Sequence, residues 1–114
     1  MATIAPPIPN QNTFPRDDVI KALVAELLQN AVAEAQVRGI HLPADLPGRM
    51  TAAVPMDSLS VVATLVAVEA VVGFELKDSL VRTGGYTSVQ AAVDHVVPRV
   101  QAVWEKKKNK AKKA

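Results

Sequence analysis

Asp57 and Ser58 are the residues of this 114-residue chain best placed to do chemistry. They follow a Pro-rich stretch and stand directly before the apolar run that begins at Leu59. Both types are preferred at the N-cap of a helix, so either could fill that role and do nothing more. A serine hydroxyl at such a position also lies in the positive end of the helix dipole, which favours a phosphodiester there. The rest of the inventory is sparse. There is no cysteine, which excludes disulfides, thiolate metal sites and a Cys nucleophile. The two histidines, His41 and His95, are far apart in the chain, so no zinc set and no other metal site is expected. His41 is expected in a loop and His95 on a helix surface. Without a nucleophile–base pair or a metal cluster, the chain is not expected to be an enzyme.

Charge divides the chain in two. The sequence pI of about 9.1 is set by six lysines between Lys106 and Lys113. Residues 1–105 hold seven Lys or Arg against eleven Asp or Glu, a net of −4. The body is therefore mildly acidic and the tail cationic, and each has its own consequences for partners. The tail, expected to be disordered, also suits an anionic membrane surface through Lys106–Lys113. No aromatic platform accompanies these lysines, so nucleic acid is not an expected partner. The first residues, MATIAPPIPNQNTFP, lack a charged start and an apolar run, so no secretory signal is read there. Leu59 to Phe74 is shorter than the ~20 residues of a membrane helix. A cytoplasmic monomer is the expectation.

The elements that position Ser58 follow from pattern and punctuation. Nearly half the chain is apolar (49%) but only four residues are aromatic, so the core must be aliphatic. Residues 1–14 read as a flexible leader, 15–100 as a helical domain and 101–114 as a basic tail that is disordered or frayed. The first helix should start near Pro15 or Arg16, with Asp17 and Asp18 in its first turn. Ile20, Leu23, Val24, Leu27, Leu28 and Ala31 form its buried stripe, and Gly39 ends it. From Ile40 to Met56 no period persists, and Pro43, Pro47, Gly48 and Pro55 mark a long loop. Loops of that length usually carry function or mobility. The second helix runs from Asp57-Ser58 to about Val72, closed by Gly73. Phe74 to Leu76 form an extended connector, and Asp78 caps a short helix over Ser79 to Arg82. Gly84-Gly85 breaks the chain. Thr87 with Gln90 reads as a capping box for the last helix, which Pro98 should end or kink. Lone Trp104 is expected to pack on the body.

From Ser58 onward the chain resembles the acyl carrier proteins of fatty-acid and polyketide synthesis. Their Asp-Ser-Leu attachment motif is matched by Asp57-Ser58-Leu59. Glu75-Leu76-Lys77-Asp78 stands where that family carries a Glu-Ile-Pro-Asp type segment, at the same spacing from the serine. The family's last helix often reads Thr-Thr-Val-Gln-Ala-Ala-Ile-Asp-Tyr-Ile. Here Thr87-Ser88-Val89-Gln90-Ala91-Ala92-Val93-Asp94-His95-Val96 is in register once an insertion around Gly84-Gly85 is allowed. The resemblance covers about residues 16–97 and is strongest for the three segments taken together, in order.

What the resemblance implies is an all-α, acyl-carrier-like four-helix bundle of three main helices and one short one, with a long loop after the first helix. Ser58 would carry a covalent 4′-phosphopantetheine arm, delivered from coenzyme A by a phosphopantetheinyl transferase. Asp57 would help position the metal and pyrophosphate of that transfer. Acyl groups for fatty-acid, polyketide or specialised lipid biosynthesis would be loaded and used by partner synthases and acyltransferases. The acyl chain would lie against Leu59, Val62, Leu65, Val66 and Val68 of the second helix, with Leu76 and Val93 opposite. Leu59 would begin the core-packing face.

The chain also departs from the family. Its second helix lacks the usual acidic face: Ser60, Ala63, Ala70 and Val71 stand at positions expected to be exposed, and only Glu69 keeps a charge. Pro55 replaces the usual Gly before the Asp, and the loop lacks the family's Asp-Leu-Gly turn. A specialised carrier with an apolar docking partner fits these departures. An aminoacyl or peptidyl carrier of a nonribosomal peptide pathway is the alternative within the class. A helical interaction module that is never modified, with Ser58 only a cap, is the alternative outside it.

Overall fold

The computed structural model describes residues 13–113, those up to 109 with their side chains. Four helices and one 3₁₀ turn make up the described chain: α1 (Arg16–Arg38), α2 (Leu46–Thr51), α3 (Ser58–Val72), the 3₁₀ turn Asp78–Leu80, and α4 (Val89–Lys113). It is a small all-α bundle in which α1 packs against both α3 and α4.

The long helices begin and end where their punctuation dictates. Pro15 precedes α1 and Asp17 and Asp18 occupy its first turn, where negative charge meets the positive end of the dipole. Gly39 takes the left-handed conformation at φ 71°. That reversal lets the Gly39 and Ile40 N–H groups return to the Gln36 and Ala35 carbonyls. The buried row of α1 is Val19, Leu23, Leu27, Ala31 and Ala35, all four residues apart. Ile20, Val24 and Leu28, expected in the buried stripe, lie half-buried at its margin, and Val19 replaces Ile20 at the centre. In α3 the buried set is Val61, Thr64, Leu65, Val68 and Val72. The one polar member, Thr64, donates its hydroxyl to the Val61 carbonyl at 2.6 Å, which satisfies the donor without leaving the helix.

The short helix expected over Ser79 to Arg82 is a 3₁₀ turn over Asp78–Leu80, preceded by Lys77 and without a side-chain cap, so Asp78 is not its cap. Three larger elements also differ from expectation. The loop after α1 contains a turn and a half of helix, α2. Asp45 caps it by accepting the Gly48 N–H at 2.7 Å, and Pro47 fits the first turn, where no N–H is needed. The last helix is capped by Ser88, whose hydroxyl oxygen accepts the Ala91 N–H at 3.0 Å. Thr87 is therefore not the cap, and Gln90 instead donates to Asp94 at 2.8 Å.

The third difference concerns the tail. α4 neither stops at Pro98 nor frays at residue 101, but continues to Lys113. Pro98 removes one donor, yet Pro98 and Asp94 both lie on the exposed side, where water reaches the carbonyl left free. On the inner side Val97, Val100 and Trp104 are almost wholly buried. Burial of such side chains contributes roughly 1.5–3 kcal/mol each, which is enough to carry the helix past the proline. Trp104 packs on the body as expected, meeting Phe14 edge-on with ring centroids 5.7 Å apart. Phe14, the last residue of the expected leader, is thus a buried part of the domain. Residues 1–12 of that leader lie outside the described residues.

Candidate functional site

Asp57 is the N-cap of α3 and Ser58 is its first helical residue. The Asp57 carboxylate accepts the Ser60 N–H at 2.8 Å. That bond, followed by the Ser60 hydroxyl, holds the exposed Asp57 carboxyl below its usual range. The two residues thereby separate in role, since the capping is done by Asp57. Ser58 is half-buried and its hydroxyl makes no hydrogen bond among the described residues. Its hydroxyl oxygen thus stands at a helix N-terminus, beside a carboxylate whose pKa is lowered.

The backbone leading to Ser58 is held by a distant part of the chain. Met56 and Tyr86 exchange two backbone hydrogen bonds of 2.9 Å each, an antiparallel bridge. The Val54 N–H adds a third bond to the Thr87 carbonyl at 2.9 Å. Gly85 makes this approach possible. A Cβ there would lie 2.0 Å from the Met56 carbonyl oxygen and 2.8 Å from the Asp57 Cα. Its φ of 83° is also one that only glycine adopts at low cost. From the other side, Asn30 of α1 donates to the Ser60 carbonyl at 3.3 Å.

Tyr86 is fixed in turn. Its hydroxyl oxygen accepts the Arg82 N–H at 2.8 Å and lies 2.6 Å from His95 Nδ1. Burial, then the charges of Arg99 and Arg82, push the His95 pKa down. Tyr86 and His95 are thus joined by one hydrogen bond whose donor is set by the imidazole tautomer. His95 is consequently a half-buried member of this chain of contacts rather than a plain surface residue. Arg82 also covers the Tyr86 ring, 4.7 Å from its centroid. His41 is exposed in the loop, as expected.

A depression of about 240 Å³ opens beside Asp57, lined by Pro55, Met56, the Gly84–Thr87 segment and Arg38. Arg38 reaches it from the end of α1 while pairing with Glu34 at 2.5 Å. In the sequence Arg38 reads only as a last-turn cation and Gly85 only as part of a chain break, and nothing there marks Tyr86. The Gly84-Gly85-Tyr86 run was the available signal, because paired glycines permit the close approach that a bridge to Met56 needs.

The seven residues proposed to border an acyl chain do not form one surface. Leu65, Val68, Leu76 and Val93 are buried in the core and Val62 is half-buried. Leu59 and Val66 are 79% and 67% exposed. Leu59 therefore does not begin the core-packing face. The first turn of α3 buries Val61 instead, and α3, packed on one side only, leaves an apolar face outside. Leu59, Ala63, Val66 and Ala70 make up that outer face, spaced as one helical stripe. Glu69, the one charge on α3, is half-buried and accepts the Leu76 N–H at 2.7 Å, so it braces the connector. Among the described residues no group of His, Cys, Asp and Glu is arranged to hold a metal, and no helix is long and apolar enough to cross a membrane. Comparisons with family models, curated proteins and solved structures find no match to this chain.

Proposed function

We propose that the chain is a carrier protein whose Ser58 takes a 4′-phosphopantetheine arm from coenzyme A, and that acyl groups ride on that arm as thioesters. The observation that carries the reading is the division of labour at the head of α3. Asp57 supplies the cap, so the Ser58 hydroxyl is left without a structural hydrogen bond at the positive end of a fifteen-residue helix. A phosphodiester at that oxygen gains from the helix dipole. In the transfer, Ser58 Oγ attacks the phosphorus that bears pantetheine and loses its proton. The pyrophosphate bond of coenzyme A breaks, and adenosine 3′,5′-bisphosphate leaves. The ionised Asp57 suits the positioning of a divalent cation supplied with the transferase. The carrier contributes no catalytic group to the later chemistry.

The outer face of α3 supports a particular kind of partner. Leu59, Ala63, Val66 and Ala70 offer an uncharged stripe beside Ser58. Docking on it would depend on apolar contact, and charge steering would contribute little. The same stripe favours the second reading within the class, an aminoacyl or peptidyl carrier. The identity of the thioester-bound group on the native protein separates the two.

The test is intact mass after incubation of the apo protein with coenzyme A, Mg²⁺ and a broad-specificity phosphopantetheinyl transferase. The wild type should gain one phosphopantetheine and Ser58→Ala none. No gain on the wild type with any of several transferases, including those of its host, would leave the unmodified helical module as the reading.

A further inference from the structure

One cavity lies away from Ser58, against the connector and the outer half of α4. It has a volume of about 420 Å³ and is lined by Glu75, Lys77, Ser79, Leu80, Val103, Lys106 and Lys107. We infer that this cavity is a binding site for a small amphipathic anion: an alkyl chain bearing one carboxylate or phosphate. The inference goes beyond the carrier reading and requires no arm on Ser58.

Three observations carry it. The size falls within the roughly 300–1,000 Å³ of small-molecule sites, which combine an apolar floor with a few polar groups. Leu80 and Val103 provide such a floor, and both belong to the main core cluster or pack against it. The rim holds three lysines against one glutamate. None of Glu75, Lys77, Lys106 and Lys107 forms a salt bridge among the described residues, so the excess positive charge is not neutralised within the fold.

The walls are also held in place. Arg99 of α4 donates from Nε to the Leu80 carbonyl and from Nη2 to the Ser79 carbonyl, each at 3.0 Å. Lys107 lies over the Phe74 ring, 5.1 Å from its centroid. These contacts join the 3₁₀ turn and the connector to α4. The continuation of α4 beyond Pro98 therefore builds a site as well as closing the core. An alkyl group on Leu80 and Val103 would leave its anionic head among Lys77, Lys106 and Lys107.

The test is titration of the ¹⁵N-labelled full chain with decanoate below its micelle concentration, followed by amide chemical shifts. Saturable one-to-one shifts confined to residues 74–80 and 99–108 are expected. Decan-1-ol and inorganic phosphate should each bind at least about tenfold more weakly, since each offers only half of the chemistry. The K77E/K106E/K107E variant should also lose about tenfold or more in affinity. If that variant folds poorly, salt gives a second measurement. Raising NaCl from low to high concentration should weaken decanoate binding to the wild type, because exposed lysines are screened within a Debye length of ~10 Å at 0.1 M. Non-saturating or scattered shifts, indifference to both salt and charge reversal, or equal binding of phosphate would overturn the inference. So would binding to anionic vesicles in the absence of any decanoate site, which would assign the lysines to a membrane surface. Ser58→Ala should bind decanoate as the wild type does, so failure here and failure of the carrier reading are separately visible.

Discussion

Gly85→Ala should damage both the fold and the Ser58 site, and Gly84→Ala provides its internal control. Both glycines have positive φ, 93° at Gly84 and 83° at Gly85. Forcing a residue with a Cβ into such a conformation costs roughly 1–2 kcal/mol. At Gly84 that is the whole cost, because nothing lies within 4 Å of the added atom. At Gly85 the new Cβ would stand 2.0 Å from the Met56 carbonyl oxygen. The neighbour is backbone and has no rotamer to change. Relief requires the Met56–Tyr86 bridge to open, with two hydrogen bonds worth about 1 kcal/mol each. The expected loss is therefore about 3–4 kcal/mol for Gly85→Ala against about 1–2 kcal/mol for Gly84→Ala. Urea unfolding of the two variants, compared at equal m, measures the difference. The rate of phosphopantetheine transfer should fall for Gly85→Ala under conditions where both variants are folded, because the displaced segment is Met56-Asp57. Equal destabilisation within about 0.5 kcal/mol would refute the close approach as the determinant of that loop.

Other expectations follow from the same structure. Trp104→Ala should cost about 3–5 kcal/mol in thermal or urea unfolding, because Trp104 is almost fully buried against Phe14. Trp104→Phe should cost much less, since the indole N–H is buried with no partner among the described residues and its removal relieves an unpaired donor. The pH dependence of stability should show His95. Its pKa is lowered on folding, so the unfolded chain binds the proton more readily. The stability that His95 contributes is complete above the unfolded value, 6.5, and is lost as pH falls through the folded one. Unfolding measured from pH 7 to 5 should decline for the wild type and flatten for His95→Gln. An unchanged slope would remove the neutral Tyr86–His95 pairing. Leu59→Glu and Val66→Glu should leave stability within about 0.5 kcal/mol, as exposed substitutions do, while slowing acyl transfer with a docking enzyme. Full activity in both would exclude the outer face of α3 as the contact.

The parts of the fold legible in the sequence are those with local causes. Pro15, the acidic first turn and Gly39 bound α1, and Asp57 and Gly73 bound α3, because caps act through neighbours in the chain. α2 escaped because six residues are too few for a period to register, although Asp45 and Pro47 were its cap signals. The reading of Pro98 as a stop failed because the burial of Trp104 is a tertiary gain that no local propensity reports. The outer face of α3 was hidden for a different reason. In Leu59–Val72 nearly every side chain is apolar, so no stripe marks which face turns inward, and Leu59 was assigned to the core. The bridge from Met56 to Tyr86 joins residues thirty positions apart. Its one sequence trace, Gly84-Gly85, was read as a break when it serves as a point of close approach.

The central claim is that Ser58 is the arm-bearing residue, and intact-mass spectrometry on three proteins tests it most directly. Ser60 lies within the same turn of α3, but its N–H is engaged by Asp57 and its carbonyl by Asn30. After incubation with coenzyme A, Mg²⁺ and transferase, the wild type and Ser60→Ala should each gain a single phosphopantetheine, and Ser58→Ala should gain none. A gain on Ser58→Ala, or none on the wild type with every transferase tried, would contradict the account.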